Sequence, residues 1–322
     1  MSATVPAPAP ATFCSLGAAT PGRVDPRLTP AQVRGFVDDG FCWATGLINP
    51  AELAELKADM LKLARGGYVC PQLKPADPHV SDQEVLDGIL CIHQPHFISP
   101  VMKHFCEHPA ISGILSQIVG AHLAHWDGAV KCMQSMLFVK GPGKPGQAWH
   151  QDEQYIPTRD RSLCGAWIAM DDATIANGCL WVVPGSHRQG YFFERRTPLD
   201  LEEYDGSDQC HGFDEAKAVP VEVPAGSVVF FNGYLLHKSL KNRSNGFRRV
   251  LVNHYMNSWS LLPWSPQEGK AIAQTDVRRV LSVAGTDPYA RLGYENAPNE
   301  VYLRGWGKAW GGDKALDELK KK

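Results

Sequence analysis

Trp149-His150-Gln151-Asp152 sets an imidazole and a carboxylate two positions apart. Side chains on an extended segment alternate faces with a period of two, so both groups point the same way and can reach one ion. A second histidine from a distant strand, with His237 as the candidate, would close a facial set of two histidines and one carboxylate. Such a set leaves one face of an ion open and suits non-haem ferrous oxygenases. The His-x-Asp pair alone is weak evidence, since tripeptides of this kind arise by chance in most chains. The residues around His237 carry more weight.

Those side chains need strands to hold them. From about Lys131 the chain breaks into short β-like runs divided by turn residues: Met133 to Lys140, Ala148 to Ile156, Cys164 to Asp171, Cys179 to Val183, Val219 to Val223, Ser227 to Asn232, Leu235 to Leu240 and Phe247 to Met256. Asn177-Gly178 has hairpin-turn chemistry and Pro184-Gly185 ends the run after it. Eight or so short strands with one long insertion, Tyr191 to Ala218, suggest an antiparallel double-sheet jelly roll. Ahead of them, Thr29 as N-cap and Pro30 at the first helical position open a helix that Gly40 ends, with Phe36 and Phe41 read as lying beyond it. Asn49-Pro50 opens a second helix through Arg65, and further helices are expected over Val101 to Cys106 and Ile111 to Val119. Cys91 to Pro100, with His93 and His96, fits no class. The expected fold is therefore mainly β with a helical layer (α+β): a mobile leader over 1–28, an N-terminal helical layer over 29–128, a jelly-roll, cupin-like core over 129–260 and a C-terminal extension over 261–322.

Composition narrows the function classes. A formal net charge of -2 with dispersed Lys, Arg, Asp and Glu provides no basic stripe for nucleic acid or a membrane surface. No apolar run is long enough for membrane insertion, and no signal peptide opens the chain. Nine scattered cysteines, without Cys-x-x-Cys, fit neither a disulfide framework nor a zinc ribbon. The expectation is a soluble, cytoplasmic protein with a small-molecule substrate.

Trp149-His150-Gln151-Asp152, Trp167, Asn177-Gly178-Cys179-Leu180-x-x-x-Pro184-Gly185-Ser186-His187, and His237-x-Ser239-x-x-Asn242-x-Ser244-x-x-x-Arg248 agree in order and spacing with one family. Over about residues 130 to 256, and more weakly back to about residue 29, the chain resembles the phytanoyl-CoA dioxygenase family. The resemblance implies a double-stranded β-helix that uses Fe(II), with 2-oxoglutarate and O2 as cosubstrates. It implies His150, Asp152 and His237 as metal ligands, Arg248 with Ser239 beside it for the distal carboxylate of 2-oxoglutarate, and Met136 and Trp167 as walls of the cosubstrate pocket. Arginine suits that task because its planar fork can hold a carboxylate by two hydrogen bonds. The implied reaction converts 2-oxoglutarate to succinate and carbon dioxide while a substrate C–H is hydroxylated. Desaturation, epoxidation or cyclisation would use the same site. Asp152 disfavours halogenation, because the related halogenases have a small residue there.

Each assignment has an ordinary alternative: a hydrogen-bonded surface pair for His150 and Asp152, a core histidine for His237, barrel packing for Trp167 and Met136. Arg249 falls on the opposite face from Arg248 and suits an ion pair. Gln151 and Tyr155 match the family beside the ligands and are candidates for the substrate side. Glu153 and Gln154 depart from the acyl-CoA hydroxylase pattern, and the scattered basic residues do not form a phosphate site, so a smaller, non-CoA substrate is expected. His93 and His96 either face the active site from the helical layer or, as the favoured reading, are solvated or structural, His254 reads as core or adjacent to the ligands, and His187 as part of a turn. After Pro263 the resemblance ends. A helix is expected around Glu268 to Val283, then an aromatic, glycine-rich stretch, Tyr289 to Trp310, suited to a strap, a lid or a homo-oligomer contact, and a charged helix over Lys314 to Lys322. A catalytically silent ligand-binding relative is the alternative function, although such a protein would have no need of a complete ligand set.

Overall fold

Capping chemistry starts the first three helices of the computed structural model, which describes residues 15–16, 27–70, 73–198, 200–262, 276–294 and 301–306. Thr29, Asn49 and Ser81 each form a capping box at the head of α1 (Pro30–Asp39), α2 (Pro50–Ala64) and α3 (Asp82–Asp87). α4 (Pro100–Cys106) and α5 (Pro109–Ile118) begin on prolines, whose missing N–H is no loss there. Gly40, at φ 83°, ends α1, and Phe36 lies within that helix rather than beyond it.

The strands are β1 (Ser15–Leu16), β2 (Phe41–Ala44), β3 (Ile89–His93), β4 (Val130–Lys140), β5 (Gln147–His150), β6 (Cys164–Ala169) and β7 (Leu180–Val182). They continue with β8 (Glu194–Arg196), β9 (Gln209–His211), β10 (Val219–Val221), β11 (Val228–Asn232), β12 (His237–Ser239), β13 (Arg248–Asn257), β14 (Leu281–Ala284) and β15 (Tyr302–Gly305). A nine-stranded sheet runs β1-β2-β11-β6-β13-β4-β3-β15, with β14 also paired to β4. A four-stranded antiparallel sheet, β10-β7-β12-β5, faces it, and the two remain separate sheets of a jelly roll rather than a closed barrel. The 191–218 insertion contributes the small β8-β9 pair.

Alternation along the large sheet divides the core. Ala166, Ile168, Val228, Phe230 and Leu251 point outward into the helical layer, where Leu56, Met60, Phe105, Ile114 and Leu115 meet them. Trp167, Ala169, Val229, Phe231, Val250 and Val252 point inward against Leu180, Val182, Val221 and Val223 of the small sheet. The large sheet is therefore covered on both faces.

Several expectations change. Cys91 to Pro100 contains the end of β3 and a 3-10 turn, Pro95–Phe97. β3 reads as a continuous apolar run because both its faces are covered, so it shows no alternation. The described part of the segment expected as a helix, Glu268 to Val283, carries β14 instead, since the edge of β4 offers unpaired backbone groups. Residues 268–275 and the charged helix over Lys314 to Lys322 lie outside the described residues. So does most of the expected leader, of which Ser15–Leu16 pairs parallel with β2. The eight described cysteines are free thiols, seven of them buried. Among the described residues no helix is long and apolar enough to cross a membrane.

The extension is pinned by a buried charge. Lys131, wholly buried on β4, reaches Asp276 at 2.8 Å and Asp287 at 3.3 Å, with both carboxylates almost fully covered. Replacing one partner strands the others without solvent, which costs about 3–5 kcal/mol. Lys131→Met is expected to lower unfolding stability by about that amount in urea denaturation. A loss below about 1 kcal/mol, the range of exposed pairs, would show that the cluster is not structural.

Candidate functional site

His150 is the last residue of β5, and Gln151 continues the extended path (φ -126°, ψ 123°) before Asp152 starts a one-turn 3-10 helix. Their side chains meet on one side as the period-two argument requires. His237 opens β12 and pairs in register with His150, which brings the third group across from the first. The candidate ligand atoms of His150, Asp152 and His237 all lie within 4.8 Å of one another, and among the described residues they form the one cluster of this kind. Both histidine Nε2 atoms face the same Asp152 oxygen, Oδ1, at 3.5 and 3.6 Å.

Hydrogen bonding fixes which nitrogen faces inward. His150 Nδ1 donates to the Ala148 carbonyl at 2.8 Å, and His237 Nδ1 to the Leu235 carbonyl at 2.9 Å. That tautomer turns each Nε2 lone pair toward the carboxylate. Three electron-rich atoms then converge with no proton between them, which is the arrangement that a cation completes. His254 Nε2 lies 3.0 Å from the other Asp152 oxygen, Oδ2, and so orients the carboxylate. Burial raises the Asp152 carboxyl, but His237, the bond from His254 and the charge of His150 outweigh it and hold the group below the usual carboxylate range. Burial, followed by His150, lowers His237 to about 4, so its imidazole is neutral at ordinary pH.

The cluster opens into a cavity of about 350 Å³ between the sheets, large enough for a small ligand. Gln134, Met136, Phe138 and Lys140 line it from β4 at intervals of two, and Arg248 and Val252 from β13. Lys140 and Arg248 are directly opposed in the ladder. Both are buried, and like charges facing each other across strands repel. Arg248 makes no hydrogen bond or ion pair to any described residue, its Nε is buried without a partner, and its guanidinium lies 5.5 Å from the Trp167 ring. Burial lowers its pKa to about 10, which leaves it charged. Lys140 donates to Ser239 Oγ at 2.9 Å and to the Leu240 carbonyl at 2.7 Å. Gly178, at φ 81°, permits this approach: a Cβ there would lie 2.3 Å from the Leu240 oxygen. Arg249 instead makes a bidentate pair with Asp171, at 2.6 and 2.7 Å, on the other face of β13.

Most of the anticipated residues thus share one cavity: His150, Asp152, His237, Arg248, Ser239, Trp167, Met136 and Tyr155 all line it. Gln151 does not. It is fully buried elsewhere, donating to the Tyr191 and Tyr234 carbonyls and accepting from the Phe193 N–H, so it anchors the insertion. His187 bonds the Val37 carbonyl and His96 bonds Ser135, both away from the ligand cluster. His93 does line the cavity, which is the less favoured of its two expected placements, because β3 carries it beside Met136. Lys140 was missed although its period-two spacing from Met136 was visible. Tyr302 and Arg304 also line the cavity; the aromatic stretch Tyr289 to Trp310 marks the segment as a strap or lid without singling out either residue.

The sequence profile of the family described as Phytanoyl-CoA dioxygenase (PhyH) matches residues 36–250. Phytanoyl-CoA dioxygenase 1 of Oryza sativa subsp. japonica is 34% identical over 177 residues, 53% of this chain and 60% of the rice protein. A probable phytanoyl-CoA dioxygenase of Caenorhabditis elegans is 32% identical over 245 residues, 71% of this chain and 76% of its own length. Among solved structures, the non-heme alpha-ketoglutarate-dependent carbocyclase SnoK from nogalamycin biosynthesis superposes with a TM-score of 0.57 at 21% identity, covering 80% of this chain and 97% of that one. The likeness to SnoK shows a shared fold.

Cobalt(II), read by its visible absorption, is expected to bind the wild-type protein and to lose binding in Asp152→Ala. His254→Ala, which removes the group orienting Asp152, is expected to weaken cobalt affinity about 10–100-fold. Unchanged affinity in Asp152→Ala would remove the case for a metal centre here.

Proposed function

The chain belongs to the phytanoyl-CoA dioxygenase family, and on that premise we propose that it is a non-haem iron(II)- and 2-oxoglutarate-dependent dioxygenase. It hydroxylates an unactivated C–H of a small organic substrate. The observation that carries this reading is Arg248: a buried, charged guanidinium without a protein carboxylate, in the same cavity as a complete His-Asp-His cluster. A buried cation without a counter-charge is costly, and a ligand carboxylate supplies one.

His150, Asp152 and His237 would hold the iron, whose bound chemistry is dioxygen activation coupled to decarboxylation of 2-oxoglutarate. His254 keeps one Asp152 oxygen occupied so that the other faces the histidines. Arg248 takes the distal carboxylate through its fork, with Trp167 against its face. The Lys140 amino group donates to the Ser239 hydroxyl and so orients it at that end. Phe231 and Val252 keep the inner wall apolar, which limits water beside the reacting groups. A complete ligand set with a waiting carboxylate partner supports an active enzyme over a silent binding protein.

One feature favours a non-CoA substrate. Arg304, at the cavity, is paired with Asp205 at 3.1 Å, so it is not a free cation of the kind that coenzyme A phosphates need.

Anaerobic titration with ferrous iron and 2-oxoglutarate is expected to produce the weak visible charge-transfer band of the chelate. Arg248→Ala should leave iron binding intact and raise the apparent Kd for 2-oxoglutarate about 10–150-fold, the equivalent of about 1.5–3 kcal/mol for a charge-assisted bond. No band from the wild-type protein at saturating iron and cosubstrate would refute the oxygenase reading.

A further inference from the structure

The cavity has a second end, remote from Arg248. Across the large sheet, β13 and β4 carry the groups assigned to 2-oxoglutarate, and beyond them lie β3 and then the edge strand β15. His93 on β3 is in register with Met136 on one side and Tyr302 on the other. Its ring stacks on that of Tyr302, with centroids 4.0 Å apart and planes 10° from parallel. Both side chains line the cavity, and Tyr302 is 48% exposed, which puts it at the mouth.

Resting on the oxygenase reading, we propose that His93 and Tyr302 form the substrate subsite, and that it takes a compact uncharged molecule presenting a hydroxyl or carbonyl oxygen beside a flat apolar face. Neither the His93 ring nitrogens nor the Tyr302 hydroxyl bonds any described residue, although both stand at the cavity wall. Burial, then Arg304 and Arg278, lowers His93 to about 4, so at neutral pH it offers one donor and one acceptor rather than a charge. The cations at this end already hold protein oxygens: Arg304 meets Asp205, and Arg278 donates to Gln134 at 3.1 Å. Arg304, the guanidinium that lines the cavity, is balanced by Asp205, so a carboxylate or phosphate beside it would lose water without gaining a free counter-charge from it, whereas a neutral oxygen meets matched polar atoms. Tyr302 lies outside the family-matched residues 36–250, so recognition rests partly on a strand beyond the matched region.

The test uses the full chain loaded with manganese(II) and saturating 2-oxoglutarate, where the paramagnetic ion speeds proton relaxation of any molecule bound nearby. The probes are cyclohexanol and benzyl alcohol, each against its acid counterpart, cyclohexanecarboxylate or benzoate. The alcohols are expected to show at least about fivefold greater relaxation enhancement than the acids, the worth of one ordinary hydrogen bond. Tyr302→Ala and His93→Leu should each remove that preference while the Kd for 2-oxoglutarate stays within about twofold, the scale of a contact the cosubstrate does not make. Tyr302→Phe, which keeps the ring stacked on His93 but removes the hydroxyl, should reduce the alcohol preference less than Tyr302→Ala does and guards against loss through misfolding. Equal or stronger relaxation of the acids, none for the alcohols, or unchanged behaviour in both variants would overturn the subsite. Weakened 2-oxoglutarate binding in His93→Leu would also overturn it, by moving His93 to the cosubstrate end. Failure of the wild-type protein to take manganese(II) and 2-oxoglutarate would instead bring down the oxygenase reading beneath it.

Discussion

Two buried basic side chains placed opposite each other, Lys140 on β4 and Arg248 on β13, are the arrangement that this fold must tolerate. Like charges in register repel, and burial removes the water that would screen them. The fold contains the repulsion in two ways. Lys140 is held by the Ser239 hydroxyl and the Leu240 carbonyl, and burial followed by the field of Arg248 pulls its pKa well below the usual lysine range. Arg248 is left without a protein counter-charge, against the face of Trp167. That residual imbalance leaves an uncompensated positive charge at one end of the cavity, while the convergent lone pairs of His150, Asp152 and His237 suit a cation nearby.

The surrounding elements follow from this requirement. Groups of opposite demand must be set a short distance apart inside apolar walls, and antiparallel strands do that by register rather than by loop conformation. His237 faces His150 because β12 and β5 are paired, and Arg248 faces Lys140 because β13 and β4 are paired. The helical layer seals the outer face of the large sheet, so its inward residues can be given over to chemistry. Asp171 takes up Arg249, which would otherwise be a second uncompensated guanidinium on the same strand.

Much of this was legible in the sequence where a local rule applied. The period of two predicted that His150 and Asp152 share a face, that Arg248 and Arg249 part company, and that turns fall near Asn177-Gly178. Caps at Thr29 and Asn49 marked their helices. What the sequence did not carry is long-range pairing. β3 is buried on both faces and so lacks alternation, which left the placement of His93 open between the cavity and a structural role. Tyr302 reaches the cavity only because β15 pairs with a strand some two hundred residues earlier, and no local pattern encodes that choice. Gln151 marks the opposite limit: its place beside the ligands is visible in sequence, whereas its bonds to Tyr191, Phe193 and Tyr234 appear only once the insertion has folded.

The β3–β15 pairing also sets an order of events during synthesis. The ligand residues and Arg248 are all present once β13 has emerged, whereas β15 comes last among the described strands. Closing so long a loop is entropically slow, so local and core pairings form first. The nascent protein therefore possesses its candidate metal-binding cluster before it possesses the wall at the mouth of its cavity. For that interval the site is open to cellular metals, and ion loading can precede closure instead of competing with it.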